Sequence, residues 1–136
     1  MAYALLAEVV HIDPSAGKFY VIGGGIDTIM VPSAPAQLNS IALLCILEAD
    51  AAQAGTAHDV TLVVTGPGGG ELGSSSANVQ FGPAPPAPTW PLQVPVSFQF
   101  HNFPVAGPGE YGFRVAIDNV VLGSVGLLVR PWTPPS

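Results

Sequence analysis

From Gly109 to Val129, apolar and polar side chains alternate closely enough to define one face of a β-hairpin. Tyr111, Phe113, Val115 and Ile117 fall at period two, with Glu110, Arg114 and Asp118 between them. That is the pattern of a half-buried antiparallel strand. The chain returns at once from Val120 to Val129. A two-residue Asp118-Asn119 loop would put Leu122, Ser124, Gly126 and Arg130 on the Tyr/Phe face. A three-residue loop through Asn119 would put Val121, Gly123, Val125, Leu127 and Val129 there instead. The second set is far more apolar, so the pattern predicts three loop residues, with Val115 opposite Val121 and Phe113 over Gly123.

The preceding segments read similarly. A strand from Ala4 to Ile12 turns at Asp13-Pro14-Ser15-Ala16-Gly17 and returns as Lys18 to Val31. Gly23-Gly24-Gly25 interrupts the return and marks a bulge or a close backbone approach. Further strands are expected from Ile41 to Asp50, His58 to Thr65 and Ser74 to Phe81, with a short turn between Ala49 and Ala57 and a glycine turn at Gly66 to Gly70. Gly82 to Pro88 is a stiff polyproline-like connection that cannot donate ladder hydrogen bonds. Val94, Val96, Phe98 and Phe100 then alternate inward, and Pro95 places this strand at an edge or leaves a position that needs no N–H. About eight strands predict an all-β antiparallel sandwich, immunoglobulin/C2-like. Residues 1–130 form the single domain and 131–136 a Pro-rich tail.

Composition adds a question of cover. Hydrophobic residues make up 49% of the chain and charged residues 9%, against about a quarter charged in an average protein; mean hydropathy is +0.48. The longest apolar run, Ile41 to Leu47, falls well short of the about 20 residues a membrane helix needs. That segment is apolar on both faces: Ile41, Leu43, Cys45, Leu47 and Ala49 on one, Ala42, Leu44 and Ile46 on the other. A sandwich buries one face of each sheet, so the second needs a loop of the same chain or another subunit. The low charge count favours a subunit. Leu44, Ile46, Trp90 in the Pro-rich loop and Trp132 in the tail are the candidate interface residues. In the tail, Trp132 either folds back on its own sandwich or enters a groove of a neighbour, and the neighbour is preferred.

With net charge −6 and only Lys18, Arg114 and Arg130 as cations, nucleic acid and anionic membranes are poor partners. One cysteine excludes an intramolecular disulfide, and the N-terminus lacks the cationic start and cleavage site of a signal peptide. A cytoplasmic or phage-particle protein is expected.

Cys45, inside an apolar strand, reads as a core residue rather than a nucleophile. His11, His58 and His101 lack the paired short spacing of zinc ligands, and no Gly-x-Ser-x-Gly elbow presents a nucleophile to a His58-Asp59 pair. Neither glycine run opens a helix or precedes Lys-Ser/Thr, so neither cradles phosphate. Glu8 is expected to face water or to pair with Lys18 or Arg114. The formal Pro-x-x-Pro at Pro83 to Pro86 lacks flanking cations. No catalytic, cofactor or metal residue is assigned.

The residues Ala7-Glu8-Val9-Val10, Gly17 to Gly25, His58-Asp59-Val60 and Pro108-Gly109-Glu110-Tyr111-Gly112-Phe113 resemble a family of small bacterial β-sandwich proteins known as a domain of unknown function. The resemblance covers most of the chain, leaves out Gly82 to Pro91 and the tail, and implies the fold alone. The expected role is a non-enzymatic structural or protein-interaction module that associates with itself or another protein; a phage-particle component is one concrete version. The alternative is a small-ligand or carbohydrate-binding sandwich stacking on Trp90, Tyr111 or Trp132. A hydrolase built on His58 and Asp59 ranks below both.

Overall fold

The computed structural model describes residues 2–13, 18–31, 36–83 and 92–132. Ten strands run in chain order: β1 (Tyr3–Ala7), β2 (Val9–Asp13), β3 (Lys18–Ile22), β4 (Thr28–Val31), β5 (Ala36–Ala49), β6 (Ala57–Thr65), β7 (Glu71–Gln80), β8 (Leu92–Val105), β9 (Gly109–Ile117) and β10 (Val120–Pro131). A 3₁₀ turn, Ala51–Gln53, occupies the expected turn region. The count exceeds eight because the first expected strand breaks at Glu8 and the second breaks between Ile22 and Thr28.

The strands form a three-stranded sheet in the order β1-β5-β8, a five-stranded sheet in the order β4-β10-β9-β6-β7, and a separate β2-β3 ribbon. All pairings are antiparallel except that of β4 with β10. Pro95 sits on β8, an edge strand, where a missing N–H costs no ladder bond.

The two larger sheets share one core. Leu6, Leu43 and Phe98 come from the three-stranded sheet; Leu62, Phe113, Val115 and Leu127 come from the other. Aromatic rings bridge them, with Phe103 stacked on Phe113 at 5.8 Å and edge-on to Tyr111 at 6.4 Å. The Tyr111 hydroxyl donates to the Gly107 carbonyl at 2.7 Å, which is the local device of the tyrosine corner in antiparallel sandwiches.

The outer face of β5 is closed within the single chain. Ala42 and Leu44 are fully buried and Ile46 is 2% exposed, which corrects the expected subunit cover at Leu44 and Ile46. Leu5 and Ser97 flank Leu44 in register, and the β2-β3 ribbon packs against β5 and β8. The Gln99 amide nitrogen donates to the Glu8 carbonyl at 3.0 Å and to Ser40 Oγ at 2.6 Å, and Ser40 Oγ donates to the same carbonyl at 2.8 Å. On the return side Gly23 has φ +64°, and a Cβ there would lie 2.8 Å from the Glu8 side chain. The glycine run is therefore a close backbone approach.

The terminal hairpin has a two-residue loop, not three. Asp118 and Asn119 both have positive φ, 46° and 67°, as a type I′ turn requires. Val120 pairs with Ile117 and Val121 with Ala116; a bulge then shifts the register, so that Gly123 faces Val115, Val125 faces Phe113 and Leu127 faces Tyr111. The apolar set reaches the Tyr/Phe face as expected, apart from Val121, but the extra residue sits in the bulge rather than the loop.

Candidate functional site

One polar cluster lies where the 3₁₀ turn, the start of β6 and the β9-β10 turn meet. His58 Nδ1 is 2.5 Å from Asp118 Oδ2, and its Nε2 is 2.6 Å from Thr56 Oγ1. Asp118 Oδ1 accepts the Asp59 N–H at 3.0 Å. The His58 hydrogen bond, and after it that N–H, hold the Asp118 carboxyl below the usual carboxylate range. Hydroxyl, imidazole and carboxylate thus stand in the order of a nucleophile triad. The chemistry differs, because Thr56 Oγ1 also lies 2.5 Å from the Gln53 carbonyl, which can only accept. The single hydroxyl proton is directed there, and Phe81 packs on the imidazole at 4.8 Å. As arranged, the trio ties three chain segments together.

His58 does not pair with Asp59, the neighbour that the low-ranked hydrolase alternative would have used. Neighbours on a strand point to opposite faces, and Asp59 instead accepts from Asn78 Nδ2 at 3.0 Å. His11 stacks on Tyr20 at 6.2 Å. Among the described residues, no three His, Cys, Asp or Glu side chains come together as metal ligands. Among the described residues Glu8 has no ion-pair partner, while His58 pairs with Asp118. Burial pushes the Cys45 thiol up to about 11, as a core cysteine requires.

A second site is a surface. On the outer face of the five-stranded sheet, at its β4 edge, Met30 (59% exposed), Leu128 (38%) and Trp132 (48%) lie around Arg130, which pairs with Met30. The Trp132 N–H donates to the Val31 carbonyl at 2.8 Å, so the start of the tail continues the ladder instead of leaving it. Beside this patch an open groove of about 480 Å³ crosses the sheet, lined by Gly112, Gly126, Ser124, Asp27, Glu110 and Leu128 among others. Gly112 and Gly126 are paired across β9 and β10. A Cβ on Gly126 would meet nothing within 4 Å, whereas one on Gly112 would lie 2.6 Å from Thr65 Oγ1, so the groove is open at Gly126 and walled by Thr65 at Gly112.

A family model matches residues 2–130, nearly the whole chain. The chain belongs to DUF6941, a family of unknown function. Its match runs through the Pro-rich segment that the resemblance left out and stops before the tail. Among curated proteins none matches the chain.

Of the four candidate interface residues in this DUF6941 chain, Leu44 and Ile46 are core, Trp90 lies outside the described residues, and Trp132 is half exposed. Tyr111 is 1% exposed and cannot be a stacking platform. Met30 was missed because only its long-range parallel pairing with β10 brings it beside Trp132.

Proposed function

We propose that this protein is a non-enzymatic interaction module that associates with a second copy of itself through the outer face of the five-stranded sheet. The observation that carries this reading is the exposed group of Trp132, Met30, Leu128 and Arg130 on one sheet face. Trp, Met and Arg are the residue types enriched at interface centres, and charged groups are otherwise sparse there. The His58 cluster, which came nearest to catalytic chemistry, is spent on holding the turn.

Light scattering after size exclusion tests this directly. A mass above the 13.9 kDa of one chain is expected at micromolar concentration, and Trp132→Ala should shift it toward the monomer without lowering the melting temperature much. A wild-type protein that stays monomeric at high concentration would refute self-association.

A further inference from the structure

We infer that the glycine-floored groove is the seat for Arg130 and Trp132 of the second copy, a reading that rests on the self-association proposed above. The first argument is charge. The chain carries −6 overall, so two copies repel unless the contact itself is balanced. Both arginines project from this outer face: Arg130 beside Met30, and Arg114 beside Ser124. The groove supplies the opposite sign in Asp27 and Glu110, both exposed. Neither carboxylate has an ion-pair partner among the described residues.

The second argument is register. Take a two-fold axis that crosses β10 at Val129, perpendicular to the strand and in the plane between two facing sheets. It lays the two β10 strands antiparallel, so that Arg130 of each copy faces Leu128 of the other and Trp132 faces Gly126. Leu128 has Glu110 beside it on β9 and Thr28, next to Asp27, beside it on β4. The guanidinium therefore arrives between two free carboxylates, with Leu128 under its stem. The indole arrives over Gly126, where a Cβ would meet nothing within 4 Å, and is bounded by Thr65, whose Oγ1 occupies the space over the neighbouring Gly112. Sheets pack about 10 Å apart, and glycine on one side leaves room in that gap for an indole from the other. The arrangement is isologous: each copy gives one Arg-Trp pair and receives one.

Charge reversal tests the seat apart from the association. All the side chains involved are exposed, so Glu110→Arg, Arg130→Glu and the double variant should fold, with far-UV circular dichroism as the check. Dimer dissociation constants would be measured by sedimentation equilibrium at low salt. Each single variant should weaken association about tenfold or more, and the double variant should recover most of the loss, because the swapped charges face each other again across the axis. An associating wild type whose constant is unchanged by Glu110→Arg overturns the seat and leaves self-association standing. A double variant no tighter than its weaker parent also overturns the seat. A monomeric wild type removes both.

Discussion

Leu44 gives the clearest separation between cover by the chain itself and cover by a subunit. It is fully buried, between Leu5 of β1 and Ser97 of β8 in register. Leu44→Ala removes three buried carbons, at about 0.8 kcal/mol each, and leaves a cavity that a sheet covered on both faces cannot collapse. The expected loss is about 3–4 kcal/mol, inside the range for such truncations. Against a total stability of about 5–15 kcal/mol, that should lower the melting temperature by roughly 10–15 °C. Leu44→Asp adds an unpaired buried carboxylate and should unfold the chain. The assay is urea denaturation followed by circular dichroism at two protein concentrations far apart. If Leu44→Asp remains folded with a near-native midpoint and loses only oligomeric mass, the residue is covered by a neighbour and the reasoning fails.

Two further outcomes concern titration. Burial pushes the Cys45 thiol up to about 11 from the 9.0 of an ordinary thiol. Its contribution is therefore fully present below pH 9 and lost as pH rises toward 11, roughly 2–3 kcal/mol in all. Cys45→Ala should flatten that alkaline decline in denaturant titrations, and an identical decline in both proteins would show that another group causes it. The Asp118 carboxyl is held below its ordinary range, so its stabilisation is present above the unfolded value and disappears as pH falls through the folded one. Asp118→Asn should lower the melting temperature at neutral pH and converge with wild type in acid; a constant gap across the acid range would contradict the role assigned to the His58 bond.

How far the sequence can be read depends on what periodicity constrains. In the terminal hairpin it fixed the parity between two faces, which one extra residue satisfies equally in the loop or in a bulge. The positive φ of Asp118 and Asn119 and the pinning of Asp118 by β6 put it in the bulge. On β5, alternation showed two apolar faces but not what closes the second, because the ribbon is held there by side chains as distant as Gln99. For His58 the exclusion of Asp59 was available from strand geometry alone, whereas the true partner lies 60 residues away. Arg130 and Trp132 share a face by parity; Met30 joins them only through the β4-β10 pairing.

The burial of Leu44 and Ile46 changes where the low charge count of this chain finds its explanation. A ribbon of two strands is one residue thick, so covering an apolar face with it presents a new face to solvent. Val10, Ile12, Phe19 and Val21 are partly buried, while Val9, Tyr20 and Ile22 stand 40%, 55% and 61% exposed on the other side. Such a ribbon is barely stable alone, and Gln99 ties its start to β8 through the Glu8 carbonyl and the Val10 N–H. A docking partner that gripped the ribbon would load a two-stranded element. The β4 edge differs, because Met30, Leu128 and Trp132 stand on a five-stranded sheet whose other face is the core. Rigid backing lowers the entropy lost when these side chains are ordered in a contact. That is the physical reason to place the proposed association on the sheet rather than on the more exposed ribbon.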